Sequence, residues 1–271
     1  MSEDILLDDL SLLLFLPANR LDRLEKAVAT TADAVVLDLE DAVAVDQKRQ
    51  ALDSLSAALD QATTRKPIVL RVNGVNTEWH AQDVAVAATL PVEAVMLPKA
   101  ESAATCEQVL QVSGKPIIAL VETALGVLNA SEIAGVASRL AFGNLDYAAD
   151  IGVGQDRLAL AHARSVLVVA SRGAGIASPI DGVTQEFNDL RVIEDDARHS
   201  RSMGFGGKLL IHPKQIEPAR LAFRPSSEEI AWAERILGAA GAETGVLTLD
   251  GSMIDAPVLK RAREIIRRSK Y

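Results

Sequence analysis

Residues 116–146 read PIIALVETALGVLNASEIAGVASRLAFGNLD. Two apolar runs in this stretch end on carboxylates, the first on Glu122 and the second on Asp146, 24 residues later. That spacing is about the length of one strand, one helix and two short loops. Neighbouring parallel strands would bring both acids to one edge of a sheet, where a shared divalent cation would relieve their repulsion. The alternative is that each acid caps the helix that follows it.

Composition favours one sizeable core in a reducing compartment. The chain has 271 residues, and 49% of them are apolar. The formal net charge of −9 argues against non-specific binding of nucleic acid. The single cysteine, Cys106, cannot form an internal disulfide, so we expect it to pack in a helix of a cytoplasmic protein. No apolar run reaches the ~20 residues of a membrane-spanning helix, so we expect no membrane contact.

Short apolar runs alternate with segments of helical period along most of the chain. Eight runs have the composition of strands: Leu12–Pro17, Ala34–Glu40, Pro67–Asn73, Ala94–Lys99, Pro116–Glu122, Arg139–Asp146, Ser178–Val183 and Gly207–Pro213. This alternation predicts right-handed βαβ crossovers, and a count near eight favours closure into a (β/α)8 TIM barrel. No GxGxxG motif follows the first run, which disfavours an open dinucleotide-binding sheet.

The last part of the chain departs from the alternation. Residues 226–238 have a helical pattern, a glycine-rich stretch follows, and residues 258–270 form a second, basic helical segment. We therefore predict a barrel over residues 1–225. Residues 226–271 would form a C-terminal helical lid or arm, packed on the barrel or on a neighbouring subunit.

Polar side chains end nearly every apolar run. They are Asn19, Arg20, Asp38, Glu40, Asp41, Arg71, Asn73, Lys99, Glu122, Asn144, Asp146, Asp181, His212 and Lys214. Barrel enzymes build their sites at the C-terminal ends of the strands, because the βα loops converge there. The collection combines acids that could hold a cation with basic groups that could hold an anion.

Several of these residues have a structural interpretation beside the functional one. Arg71 could bind a ligand or pair with Asp38 or Glu40 inside the barrel. Lys99 could contact the substrate or form an ion pair with an acid. Asp255 follows the glycine-rich stretch and precedes a proline, so it could cap a helix or act as a catalytic acid.

Eight motifs resemble, in order, those of the citrate lyase beta subunit family, CoA-ester lyases of the HpcH/HpaI superfamily. They are LFLPANR at 14–20, VLDLEDAV at 36–43, RVN at 71–73, MLPKAE at 96–101, LVET at 120–123, GNLD at 143–146, GGKLLIHP at 206–213 and GSMID at 251–255. The segment YAADIG at 147–152 is similar to the stand-alone branch of the family, not to the beta subunit of the three-part complex.

The resemblance implies a (β/α)8 barrel, usually trimeric, that requires Mg²⁺. The matching motifs make Glu122 and Asp146 the implied metal ligands, and Arg71 and Glu122 the implied substrate contacts. Asp255 matches an acid that reaches the site of a neighbouring subunit, so we expect a homotrimer or a dimer of trimers.

Other residues are expected to support this site. Three basic residues, Arg20, Lys26 and Lys99, are expected to make further substrate contacts. Three acids, Asp38, Glu40 and Asp41, are expected to orient Arg71 or metal-bound water. Arg20 and Lys26 could equally belong to a solvated surface.

The implied reaction is cleavage or formation of a carbon–carbon bond in a β-hydroxyacyl-CoA thioester, with acetyl-CoA and a keto acid as the other reactants. Mg²⁺ would lower the pKa of the substrate hydroxyl, and Arg71 would stabilise developing negative charge. One alternative is a metal-dependent aldolase that acts on free hydroxy-keto acids. A second is a non-catalytic acyl-CoA-binding protein.

Overall fold

The computed structural model describes residues 7–62, 66–240, 247–249 and 252–269. The chain divides into two compact units, Met1–Ala219 and Arg220–Tyr271. The division falls a few residues before the boundary expected from the sequence. Where the second unit packs stays a prediction.

Eight parallel strands of the first unit close into a barrel in sequence order. They are β1 (Leu12–Pro17), β2 (Ala34–Asp38), β3 (Ile68–Arg71), β4 (Ala94–Leu97), β5 (Ile117–Val121), β6 (Arg139–Phe142), β7 (Ile180–Asp181) and β8 (Gly207–Leu210). The barrel closes between β1 and β8, where Leu13 is in register with Leu209. The predicted (β/α)8 barrel is therefore confirmed.

Helices occupy the connections between the strands, and one more follows β8. They are α1 (Leu24–Val28), α2 (Lys48–Gln61), α3 (His80–Ala87), α4 (Ala103–Ser113), α5 (Ala124–Leu128), α6 (Ala130–Ala134), α7 (Asn144–Ile151), α8 (Arg157–Ala174), α9 (Leu190–Ser202) and α10 (Ile216–Phe223). Short 3-10 helices lie at Leu7–Asp9, Leu21–Arg23, Val45–Gln47 and Pro213–Gln215. No helix among the described residues is long and apolar enough to span a bilayer.

The sixth apolar run is shorter than its composition suggests. The run was expected to be strand up to Asp146, but β6 ends at Phe142 and α7 begins at Asn144. The Gly143 N–H still donates to the Val121 carbonyl of β5 at 3.0 Å, and the Gly143 carbonyl already accepts from the Tyr147 N–H of α7 at 3.0 Å. Asp146 therefore lies in the first turn of a helix and not at a strand end.

Aliphatic side chains fill the interior of the barrel. Each strand contributes inward-facing residues to this core, among them Leu13, Val36, Val69, Met96, Ile118, Leu120, Ala141, Ile180 and Leu209. The low aromatic content of the chain, 3%, agrees with a core of Ala, Val, Leu and Ile. Cys106 is buried in α4, where the sequence predicted packing.

The second unit has a core of its own. It contains α11 (Ser227–Ala240), an antiparallel pair of strands, β9 (Leu247–Leu249) and β10 (Ser252–Ile254), and α12 (Ala256–Arg268). Ala233 and Ile236 of α11 belong to one cluster with Ala262 and Ile265 of α12. Two helices are thus present where two helical segments were predicted.

Side-chain bonds hold the shortest strand in place. β7 has only two residues, and Asp181 at its end is fully buried. The Asp181 carboxylate accepts from Arg164 Nε at 3.1 Å and from the hydroxyl of Ser200. Lys208 Nζ of β8 donates to the Gly182 carbonyl at 2.8 Å. These bonds attach the strand to α8, α9 and β8.

Replacement of Asp181 by Ala should cost about 3–5 kcal/mol of unfolding free energy, because it leaves the guanidinium of Arg164 buried without its partner. Asp195 provides a matched control, since it also pairs with an arginine, Arg157, but its side chain is 71% exposed. Asp195→Ala should cost at most about 1 kcal/mol. Urea unfolding of both variants checks this, and equal losses would contradict the role of the buried network.

Candidate active site

A cavity of about 360 Å³ opens at the C-terminal ends of the barrel strands. Its lining combines four acids, one arginine and many apolar side chains: Phe15, Pro17, Asp38, Asp41, Ala42, Arg71, Leu120, Glu122, Phe142, Gly143, Asn144, Leu145, Asp146, Val183, Leu209 and Ile211. The volume is within the range of small-molecule sites, and this end of a barrel is where such sites form.

Glu122 occupies the first position after β5, and only 1% of it is exposed. Its Oε1 accepts the backbone N–H of Lys99 at 2.8 Å. Burial raises the pKa of Glu122 well above its usual value, and the charges of Glu40 and Asp146 raise it further. The site thus contains a carboxylate whose charged form needs a cation.

Asp146 lines the same cavity from the first turn of α7. Glu122 and Asp146 were predicted to meet because their strands are neighbours, and β5 does pair with β6, with Val121 in register with Phe142. The structure brings the two acids to one cavity, although Asp146 arrives on a helix.

Arg71 ends β3 and is held on two sides by acids. Its Nε and Nη2 donate to the two oxygens of Asp38, each at 2.7 Å, and Nη1 lies 3.1 Å from Glu40 Oε2. The ring of Phe15 lies 4.8 Å from the guanidinium carbon. Burial alone would lower the pKa of Arg71, but Asp38 and Glu40 outweigh it and raise the pKa above its usual value. The side chain is thus a fixed, permanent cation in the cavity wall.

Glu40 connects Arg71 to Lys99. Its Oε1 accepts from Lys99 Nζ at 2.8 Å, and Lys99 Nζ lies 3.9 Å from Glu122 Oε1. Glu40 Oε2 accepts no hydrogen bond from the described residues, although it forms the ion pair with Arg71. Burial raises the pKa of Glu40 more than Arg71 and Lys99 lower it. The structure therefore shows ion pairs for both basic residues, while substrate contact stays a prediction for each.

A sequence profile of the HpcH/HpaI aldolase/citrate lyase family matches residues 11–213. The chain belongs to this family.

Named relatives and a solved structure agree with this assignment. The chain is 39% identical over 266 residues to a citrate lyase subunit beta-like protein of Mycobacterium tuberculosis, with 94% of each chain covered. It is 38% identical over 267 residues to a (3S)-malyl-CoA thioesterase of Cereibacter sphaeroides, with 95% of this chain and 93% of the relative covered. The crystal structure of CitE from M. tuberculosis in complex with magnesium, acetoacetate and coenzyme A is similar, with a TM-score of 0.86 and 36% identity over 98% of this chain and all of the other.

Arg20 and Lys26, which the sequence also predicted for the site, do not line this cavity. Arg20 pairs with Asp22 at 3.0 Å on the surface, and Lys26 is exposed on α1. Asp255 of the second unit caps α12, where its Oδ1 accepts the Val258 N–H at 3.0 Å. Asp41 lines the cavity with an exposed side chain 3.7 Å from Arg71. Catalysis by Asp255 and CoA contact by Arg20 and Lys26 stay predictions.

Lys48 is a site residue that sequence reasoning missed. Its buried Nζ donates to the carbonyls of Leu39 and Glu40, each at 2.8 Å, and to Asn73 Oδ1 at 2.6 Å. It thereby fixes the turn that carries Glu40. The sequence pattern that could have revealed its burial is its position in an amphipathic helix, on the same face as Ala51, Leu52 and Leu55.

The donors of the cavity fit the magnesium that the family resemblance implies. Mg²⁺ typically binds one or two carboxylates and completes its shell with water and substrate oxygens. Glu122 and Asp146 line one cavity, where burial and then the charges of Glu40 and Asp146 raise the pKa of Glu122. Within the described residues, no group of three or more His, Cys, Asp and Glu is placed to hold a metal. Two carboxylates in one cavity are the kind of donor set that Mg²⁺ uses when substrate and water complete its shell.

Gly143 should be required for the position of Glu122. A Cβ atom at residue 143 would lie 2.2 Å from Glu122 Oε2 and 2.4 Å from Glu122 Cβ, so Gly143→Ala must displace that side chain. We expect a loss of about 1–3 kcal/mol in unfolding free energy. A crystal structure of the variant should show Glu122 moved.

Gly173→Ala in α8 is the matched control, since nothing lies within 4 Å of its added Cβ. This substitution should be neutral or slightly stabilising, because alanine favours a helix over glycine. An unmoved Glu122 and unchanged stability in Gly143→Ala would refute the steric argument.

Proposed function

We propose that the protein is a Mg²⁺-dependent carbon–carbon lyase that cleaves, or forms, a β-hydroxyacyl-CoA thioester to give acetyl-CoA and a keto acid. The observation that carries the proposal is that Glu122, Asp146 and Arg71 line one cavity at the C-terminal end of the barrel. The similar CitE structure is in complex with magnesium, acetoacetate and coenzyme A, which are ligands of the kind this reaction requires.

Glu122 and Asp146 are the residues that would hold the metal. When bound, Mg²⁺ supplies a Lewis acid that polarises a substrate oxygen and lowers the pKa of a hydroxyl group. The Lys99 N–H orients the Glu122 carboxylate. Burial, and then the charges of Glu40 and Asp146, raise the pKa of Glu122, and a bound cation would offset both effects.

Arg71 would bind the substrate carboxylate or stabilise the negative charge that develops when the bond breaks. Three of its nitrogens are engaged by Asp38 and Glu40, but a guanidinium has five N–H donors, so two can serve a ligand. Because Asp38 fixes the guanidinium in place, little reorganisation is needed during reaction. Apolar side chains such as Leu120, Phe142 and Leu209 form much of the remaining wall and limit access of water.

Three further assignments belong to the proposal. Arg20 and Lys26, near the end of β1, would contact phosphate groups of CoA. Asp255 would exchange a proton with the acetyl methyl group in the site of a neighbouring subunit, within a cytoplasmic homotrimer or dimer of trimers.

One specific observation favours a second activity, hydrolysis of the thioester: the 38% identity to a (3S)-malyl-CoA thioesterase.

Product analysis should distinguish the two activities. With Mg²⁺ and malyl-, citramalyl-, 3-hydroxy-3-methylglutaryl- or citryl-CoA, a lyase yields a keto acid and acetyl-CoA but no free thiol. A thioesterase yields free CoA, which reacts with Ellman's reagent. The protein contributes little background, because Cys106 is buried and burial raises its pKa to about 11. We expect keto acid without thiol; thiol release alone would establish the second activity.

Glu122→Gln tests the metal assignment in the same assay. The amide oxygen can still accept the Lys99 N–H, but the charge is lost, so turnover and Mn²⁺ affinity should each fall about 100-fold. Glu132→Gln on the exposed face of α6 is the control and should change neither. Unchanged metal affinity in Glu122→Gln would exclude this residue as a ligand. No turnover with any thioester would favour the aldolase or binding-protein alternatives.

Asp255→Asn tests the acid without removing the helix cap, since asparagine is also a good N-cap residue. The variant should bind Mn²⁺ like the parent and unfold at the same urea concentration. It should lose about tenfold or more of the rate at which acetyl-CoA methyl protons exchange in deuterated water. Asp156→Asn is the control, because Asp156 caps α8 in the same way. Exchange at the parental rate would limit Asp255 to capping.

A further inference from the structure

Lys99, whose N–H contacts Glu122 of the cavity wall, has an unusual backbone conformation. Its φ is +48°, and among the residues that the structure describes it is the one non-glycine residue with a positive φ. A side chain other than glycine is strained in this left-handed region. Such strain persists only where surrounding contacts maintain it, and it is concentrated at functional sites.

The conformation belongs to a short detour between β4 and β5. Leu97 is in register with Ala119, and the Ala100 N–H donates to the Leu120 carbonyl at 3.1 Å. Pro98 and Lys99 lie between these two pairings, outside the regular ladder. The detour directs the Lys99 N–H to Glu122 Oε1, at 2.8 Å. The other oxygen, Oε2, points toward Gly143 at the end of β6.

The side chain of Lys99 acts on a different acid. Its Nζ donates to Glu40 Oε1 at 2.8 Å, and Glu40 in turn pairs with Arg71. Acids and bases therefore alternate in space from Asp38 through Arg71, Glu40 and Lys99 to Glu122. Lys99 is the member that connects the arginine to the acid proposed to bind the metal.

We propose that Lys99 is a positioning residue with two separable parts. Its left-handed backbone orients Glu122, the residue that would hold the metal, and its ammonium holds Glu40, and through it Arg71, at a fixed distance from Glu122. The inference rests on the proposed function, because it takes Glu122 as a metal ligand. It assigns Lys99 a role that requires no contact with the substrate.

Two substitutions isolate the backbone. Lys99→Asn and Lys99→Val both remove the ammonium, but asparagine tolerates the left-handed conformation and a β-branched valine does not. Because neither side chain is charged, a difference between the two variants is not due to loss of the ammonium. Mn²⁺ affinity, measured by electron paramagnetic resonance without substrate, should be about tenfold or more weaker in Lys99→Val than in Lys99→Asn. Equal affinities would overturn this part. Lys99→Ala replaces valine if that variant does not fold.

A second pair isolates the ammonium. Lys99→Arg retains a cation that can reach Glu40, whereas Lys99→Asn does not. The kcat of thioester cleavage should fall about tenfold or more in Lys99→Asn, while KM changes less than about threefold and Lys99→Arg remains near the parent. A parental kcat in Lys99→Asn, or no rescue by Lys99→Arg, would overturn this part.

Lys115→Asn and Lys115→Val are matched controls, because Lys115 precedes β5 at the opposite end of the barrel. Both should match the parent in Mn²⁺ affinity and kcat. If the unmodified protein binds Mn²⁺ but cleaves no thioester, the proposed lyase function is refuted. The Mn²⁺ affinities of Lys99→Asn and Lys99→Val still test the backbone role in that case. A parent that binds no Mn²⁺ would overturn the inference together with the metal site.

Discussion

The burial of the Glu122 carboxylate is the constraint on which the rest of the site depends. A charged group with 1% exposure, near two further acids, is costly unless cations and hydrogen bonds compensate. The protein supplies one N–H and one ammonium from Lys99 on one side of this carboxylate. On the other side it offers Asp146 and open cavity, which is the arrangement a divalent cation would complete.

Two further buried acids, Asp38 and Glu40, hold the basic residues of the site in place. Arg71 and Lys99 both pair with Glu40, and Asp38 binds Arg71 through two bonds. Lys48, beneath them, fixes the carbonyls of the turn that carries Glu40. These contacts join the ends of β2 and β3 to the turn after β2, to the segment after β4 and to α2. Ion pairs and hydrogen bonds thus fix the site residues relative to the rigid barrel.

Sequence reasoning succeeded where a local pattern determines position. Apolar runs and their polar ends predicted the eight strands, and neighbouring strands predicted that Glu122 and Asp146 share one cavity. It failed where contacts distant in sequence decide. Nothing in the pattern around Asp146 reveals that β6 stops at Phe142, and the left-handed Lys99 follows from a ladder detour between β4 and β5. The role of Lys48 depends on three acceptors that only the folded barrel brings together.

The proposed lyase reaction and its thioesterase alternative make shared demands on the site. Both must hold a CoA thioester and stabilise negative charge on oxygen, and Arg71 with the paired acids can serve either. They differ in water, which hydrolysis consumes and carbon–carbon cleavage does not. Apart from Arg71, the acids and Asn144, the cavity wall consists of apolar side chains and one glycine, so much of its surface offers no side-chain hydrogen bond to orient an attacking water. Water placement, and not the charged cluster, is therefore where the two activities should diverge on this scaffold.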